Sequence, residues 1–247
     1  MFITKHSVTF THLNRYILAY HINKGELHIW RYTVNEQDYV AEKTAPILSI
    51  EERKKATRFI QEHHAVKYVC NHRFMRNVLG AYLNTPPSQI KFSHTPLGKP
   101  YIENSNLFFN LSHRNKYGLL AIFKDAEVGV DIEYIKELQD VVTFSSYSFS
   151  EQEKAMIFSG NKTNTEILFT FWAFKEAFIK ATGTGLSVDI SKINLADFFD
   201  KEANVMPDDN KLWTLKRLNA EEGYKTAFAT TGKVGKLIEF SYAEFFK

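Results

Sequence analysis

Val128-Gly129-Val130-Asp131-Ile132-Glu133 and Trp172-Ala173-Phe174-Lys175-Glu176-Ala177-Phe178-Ile179-Lys180 are the stretches on which the reading of this chain turns. In the first, Val130 and Ile132 alternate with Asp131 and Glu133, the period of a strand with one apolar face. Asp131 and Glu133 then point the same way, roughly 6.6 Å apart along the strand, beside a glycine that leaves the backbone approachable. The second stretch lies in a run from Glu166 to Ala181 that is rich in helix formers and largely apolar. Its polar exceptions at Glu166, Thr170, Glu176 and Lys180 make one stripe, and Glu176 and Lys180, four apart, share a face. So apolar a helix is buried on most sides, and burying ionised groups is costly unless they pair or bind metal. Three acids and a lysine converging from strand and helix point to a hard divalent cation, magnesium first, holding phosphates. Each piece also has a plainer reading: alternating acids on the wet face of an edge strand, an ordinary i,i+4 surface ion pair, and Trp172 as core packing.

Outward from these stretches the organisation is α+β. Tyr16 to Tyr20 and Glu26 to Thr33 read as strands around the turn Asn23-Lys24-Gly25. Ser49-Ile50-Glu51-Glu52 is a capping box, followed by helix through Arg53 to Phe59 and a longer helix from Glu62 to Tyr82 that Asn84-Thr85-Pro86-Pro87 stops. Leu107 to Leu111 reads as a short strand. Leu119 to Lys124 is expected to pair with Val128 to Glu133, and Phe228 to Thr231 with Lys236 to Tyr242 as a hairpin. Val234-Gly235-Lys236-Leu237-Ile238-Glu239 echoes the acidic strand without its aspartate, which hints at duplication. The boundary falls near Asp125, giving halves 1–125 and 126–247 with no flexible linker between them.

Composition sets wide limits. The chain has 247 residues, 44% of them hydrophobic, enough for one large core or two small ones. Its 31 basic and 28 acidic residues leave a net charge of +3, too mild for a nucleic-acid coat. The single cysteine, Cys70, rules out an internal disulfide and suits a reducing cytoplasm. Neither a signal peptide nor a stretch of transmembrane length is read, so no membrane partner is expected.

The two opening stretches resemble the signature of the 4′-phosphopantetheinyl transferase family, a Gly-x-Asp-x-Glu strand and a Trp-x-x-Lys-Glu-(Ala/Ser)-x-x-Lys helix. Gly98-Lys99-Pro100, Phe109-Asn110-Leu111-Ser112-His113 and Gly183-Thr184-Gly185-Leu186 agree in order and spacing, over about residues 45 to 190. The length resembles the larger, Sfp-type branch. This resemblance implies two similar α/β halves related by a pseudo-twofold, an active site in the cleft between them, and a monomer. It implies a transfer of 4′-phosphopantetheine from CoA to a serine of an apo acyl or peptidyl carrier protein, releasing adenosine 3′,5′-bisphosphate. Asp131, Glu133 and Glu176 are the expected ligands of magnesium, with manganese as a substitute, and Asp131 also faces CoA. Glu176 is the expected base and Lys180 the group that steadies the transferring phosphate. Lys55, with Lys67 as a second candidate, is expected at the 3′-phosphate of CoA, Lys99 and Pro100 at the adenine, and Ser112 and His113 at phosphate oxygens. Arg114 stands where the family commonly has a serine. Two other readings stay open: a different magnesium-dependent phosphohydrolase or nucleotidyl transferase, and a CoA- or carrier-binding module without catalysis.

Overall fold

The computed structural model describes residues 3–6, 20–34, 47–199, 203–205 and 211–242. The strand expected at Tyr16 to Tyr20 lies outside them except for Tyr20, which is irregular.

Two main sheets and two long helices make an α+β fold. The first sheet has the order β1–β11–β2–β6–β5, with β1 at Ile3–His6, β2 at Glu26–Thr33, β5 at Leu107–Arg114, β6 at Tyr117–Lys124 and β11 at Lys236–Ser241. The second has the order β7–β10–β9–β8, with β7 at Val128–Tyr134, β8 at Ala203–Val205, β9 at Trp213–Arg217 and β10 at Tyr224–Thr230. A two-stranded ribbon joins β3 (Ser93–His94) to β4 (Pro100–Tyr101).

Side-chain alternation decides the layering. On β2 and β6, Trp30, Tyr32, Leu120 and Ile122 pack with Phe74, Val78 and Leu79 of helix α2 (Glu62–Leu83). Their alternate residues Leu27, Ile29, Leu119, Ala121 and Phe123 face the other way, onto Val128, Val130 and Ile132 of β7 and Phe228 of β10. The far face of the second sheet, with Ala227, Ala229 and Leu215, takes the apolar side of the helix at Thr165–Thr182. The result is helix, sheet, sheet, helix, with a dry seam between the sheets. Among the described residues, no helix is long and apolar enough to cross a membrane.

Local chemistry sets the ends of the helices. Helix α1 (Ile50–Ala56) starts on the expected capping box, with Glu52 N–H donating to Ser49 Oγ at 3.2 Å and Ser49 N–H to Glu52 Oε2 at 2.8 Å. Helix α2 ends where Asn84 turns left-handed at φ 48°, ahead of the prolines. Two short helices, α3 (Val141–Ser148) and α4 (Glu151–Ile157), precede α5 (Thr165–Thr182), which Asn164 caps and Gly183 closes at φ 68°.

Two expected hairpins are not formed. Leu119–Lys124 does not pair with Val128–Glu133: β6 pairs with β5 through a turn at Asn115 (φ 53°), and with β2. The chain then leaves the first sheet, and β7 pairs with β10 in the second. Nor does the segment from Phe228 pair with Lys236–Tyr242, because β11 crosses back to lie parallel to both β1 and β2. The cause is the same in both places. A strand that is apolar on the seam side and packed by a helix on the other is better buried in the opposite sheet than beside its sequence neighbour. The echo at Val234–Glu239 thus has a topological counterpart, since each copy follows a hairpin and ends in the other sheet.

Candidate active site

Strand alternation places Asp131 and Glu133 on the face of β7 that α5 covers, as the spacing predicts. The helix can lie close because position 129 carries no side chain. A Cβ built there would stand 2.1 Å from the Ala177 carbonyl oxygen and 2.4 Å from the Ala181 nitrogen. That approach brings Lys180 onto the strand. Its Nζ donates to Asp131 Oδ1 at 2.5 Å and to Ser112 Oγ at 2.8 Å. Ser112 Oγ itself donates to Asp131 Oδ1 at 2.9 Å and accepts from Ile132 N–H at 3.4 Å. Asp131 is buried, and its Oδ2 has no hydrogen-bond partner among the described residues. Lys180 therefore closes on the aspartate across the strand instead of on Glu176 one turn earlier.

Glu133 is held from two sides. Trp172 Nε1 donates to its Oε1 at 3.2 Å, and Arg114 Nε stands 3.3 Å from its Oε2, an ion pair short of a hydrogen bond. Trp172, expected as packing, does pack edge-on against Phe144, but it also orients an acid. The pKa values of Glu133 and Glu176 are both raised. Desolvation is the first cause in each; Asp131 adds to it at Glu133, while Asp131 and Glu133 add to it at Glu176, against the opposing pull of Lys180. The three acids thus feel one another, as like charges gathered in a half-buried place must. Among the described residues, no three His, Cys, Asp or Glu side chains are already drawn together as a metal site. The donor set still suits a hard cation: only oxygens, one buried and unpartnered, and two acids whose ionisation costs more than usual.

Further basic and imidazole side chains come from the first sheet and its helices. His113, exposed along one edge, has its pKa lowered to about 4, first by desolvation and then by Lys180, His72, Lys67 and Arg114 around it. That set of neighbours brings Lys67 of α2 into the same field as Ser112, His113 and Lys180. Lys55 of α1 lies over the Tyr68 ring, 5.3 Å from its centroid, and Tyr68 in turn stacks on His72 at 3.9 Å. Lys99 is engaged elsewhere: its Nζ donates to Glu127 Oε2 at 2.7 Å and to the Ala181 carbonyl at 2.5 Å, at the C-terminal end of α5. Pro100 lies in β4, opposite His94.

Two models of this family divide the chain between them. The 4′-phosphopantetheinyl transferase superfamily matches residues 127–229, and the 4′-phosphopantetheinyl transferase N-terminal model matches residues 30–124. The chain belongs to the 4′-phosphopantetheinyl transferase superfamily. It is 29% identical over 212 residues to the 4′-phosphopantetheinyl transferase HetI of Nostoc sp., covering 84% of this chain and 88% of that protein. It is 28% identical over 189 residues to the 4′-phosphopantetheinyl transferase Sfp of Bacillus subtilis, covering 75% and 83%. The L-aminoadipate-semialdehyde dehydrogenase-phosphopantetheinyl transferase of Xenopus laevis is 25% identical over 201 residues, covering 72% and 67%. The chain is thus a transferase of the larger, Sfp-type branch.

Within this family frame, some residues were not singled out from the sequence. Lys175, inside the helical signature, turns away from the acids and is wholly buried. Its Nζ contacts Glu153 Oε2 at 2.8 Å and the carbonyls of Ile190 and Ile193 at 2.7 and 2.8 Å. Three contacts use the three protons of the ammonium, so this lysine binds α5 to α4 and to the loop that follows α5. A lysine one residue from Glu176 sits on a different helical face, and that was the available signal. Asn110 and Arg114 were expected beside Ser112 and His113, but their partners on β7, the Val130 amide and Glu133, gave no signal, because each contact acts across sheets.

Proposed function

We propose that this transferase moves the 4′-phosphopantetheine arm of CoA onto a serine of an apo acyl or peptidyl carrier protein and releases adenosine 3′,5′-bisphosphate. The observation that carries the reading is the meeting of Asp131, Ser112 and Lys180 from three elements, with Glu133 and Glu176 beside them. Lys67, Arg114 and Lys180 share one electrostatic field around a neutral His113 beside this acid cluster, an arrangement that suits a substrate carrying several phosphates. The oxygen donors of Asp131, Glu133 and Glu176 would hold magnesium, or manganese in its place. When bound, the ion supplies neutralisation of the pyrophosphate charge.

The residues of the chain do the rest. Glu176, made more basic by its burial and by the neighbouring acids, takes the proton of the carrier serine. The serine oxygen forms a bond to the β-phosphorus as the bond from that phosphorus to the bridging oxygen breaks. The electron pair leaves on the phosphate of adenosine 3′,5′-bisphosphate. Lys180 stands where it can leave Asp131 for the phosphoryl oxygens, and His113 adds a donor from β5. Lys55 and Lys67 face the 3′-phosphate, and the segment of Lys99 and Pro100, with the lysine ammonium tied back to Glu127, the adenine. Such displacements depend mainly on positioning and charge neutralisation. The site is built by the halves 1–125 and 126–247 of one chain, which fits a monomer acting in the cytoplasm.

The test incubates the protein with CoA, magnesium and a panel of apo carrier proteins and weighs the products. The expected result is a carrier heavier by one phosphopantetheine with wild type and no gain with Asp131→Ala, Glu133→Ala or Glu176→Ala, each still folded. Release of phosphate from CoA without a modified carrier would overturn the reading.

A further inference from the structure

The two sheets meet at this site through side chains in place of a backbone ladder. β7 is the edge strand of the second sheet, so one row of its N–H groups has no neighbouring strand. Two of those groups, on alternate residues, are matched from β5 of the first sheet. Val130 N–H donates to Asn110 Oδ1 at 2.9 Å, and Ile132 N–H donates to Ser112 Oγ at 3.4 Å. Both side chains are buried. Asn110 and Ser112 lie two apart on β5, as Val130 and Ile132 do on β7, so the pair substitutes for the missing strand and sets the register between the sheets. The residue caught between the two rungs is Asp131.

Ser112 has no spare capacity in this arrangement. A hydroxyl has one proton and two acceptor positions. The proton goes to Asp131 and the acceptor positions to Ile132 N–H and Lys180 Nζ. For Ser112 or Lys180 to turn toward a phosphate oxygen, one of these bonds must be exchanged, and β7 must be held by something else meanwhile. Asn110 is outside that exchange, since among the described residues its oxygen accepts from the Val130 amide alone.

We propose that Asn110 is a positioning residue of the transfer reaction. It fixes β7 to β5 so that Asp131 stays opposite Ser112 and Lys180 while those two groups change partners. This rests on the transferase reading above. It predicts a loss that falls on turnover and not on CoA capture, because the basic residues of α1 and α2 do not depend on this rung.

The experiment compares wild type, Asn110→Leu, which keeps the volume and removes the acceptor, and Asn110→Asp, which keeps an oxygen at the same reach. Steady-state transfer to an apo carrier protein that wild type modifies is read together with hydrogen exchange of the peptide spanning residues 128–134. Asn110→Leu is expected to lose at least tenfold in kcat with KM for CoA within twofold, and to exchange faster at Val130 and Ile132. Asn110→Asp is expected to recover most of both. The proposal is overturned if folded Asn110→Leu turns over within twofold of wild type, if its loss lies in KM for CoA, or if Asn110→Asp is as slow as Asn110→Leu. Should Asn110→Leu not fold, Asn110→Ser, too short to reach the amide, takes its place in the same comparison. Wild type that modifies no carrier would instead refute the transferase reading, and the exchange data would still decide whether Asn110 holds the strand.

Discussion

Glu176 illustrates how a residue useful to a reaction weakens the fold that carries it. Its raised pKa means that the folded chain binds this proton more tightly than the unfolded chain does. The ionised carboxylate therefore subtracts from stability as pH rises above the ordinary glutamate range near 4.5 and through its own, higher value. Glu176→Gln should raise Tm at neutral pH in the presence of a chelator, and the gain should vanish as the pH is lowered toward 4.5. A variant no more stable than wild type at pH 7 would contradict the burial and like-charge origin of the shift. The acids and Lys180 were legible in the sequence because strand and helix periods give each set a common face, and the family resemblance set the two faces together. Arg114 and the donor role of Trp172 were not, because contacts to Glu133 at 3.2 and 3.3 Å depend on how two sheets and a helix are docked, which no local period encodes. The ammonium of Lys99 was expected at a nucleotide base and is held by Glu127 and the end of α5, a tie formed across the fold.

At the scale of elements, the contact between α5 and β7 decides whether the cluster exists at all. The backbone of α5 would lie 2.1 to 2.8 Å from a Cβ at position 129, and backbone cannot rotate away as a side chain can. Gly129→Ala should therefore push α5 off the strand, costing about 1–3 kcal/mol as overpacking does and separating Lys180 from Asp131. Thermal melts and transfer assays on that variant should show a lowered Tm and a far larger proportional loss of turnover. Unchanged activity in a destabilised Gly129→Ala protein would show that the close approach is not what places Lys180. The helices themselves were readable from caps and breakers, with α1, α2 and α5 within a few residues of expectation. The strand pairings were not, because an apolar face says that a strand is covered but not by which sheet. β5 and β6 form the hairpin that the sequence reading had given to β6 and β7.

Across the whole molecule, acid resistance depends on a polar group buried far from the transfer site. Trp30 Nε1 donates to Tyr82 Oη at 2.9 Å, and the same oxygen lies 2.6 Å from His28 Nδ1. The arrangement that wastes no proton has the tyrosine donating to Nδ1, which makes His28 neutral with its proton on Nε2, toward Glu26 Oε2 at 3.4 Å. Burial lowers its pKa from 6.5 to about 4. The sign follows: the unfolded chain takes up this proton first, so the contribution is whole above pH 6.5 and is lost as the pH falls from there through 4. A shift of that size amounts to about 3 kcal/mol. Urea midpoints measured from pH 7 to pH 4 should fall, and His28→Gln should flatten that fall while starting from a less stable protein. A His28→Gln curve parallel to that of wild type would remove this histidine from the account.

The crossing of β7 and β11 into opposite sheets also orders events in time. Glu26 and its neighbours in β2 take Lys236 and the rest of β11 as a parallel partner, so the centre of the first sheet waits for a strand that is synthesised after all the other described ones. A nascent chain leaving the ribosome can form the β5–β6 hairpin and α2 early. It cannot seal the edge of β2 until Lys236 and its neighbours have been made. The first sheet is then completed late, and a chain shortened before Lys236 loses the strand beside β2 although every acid and base of the site is still encoded.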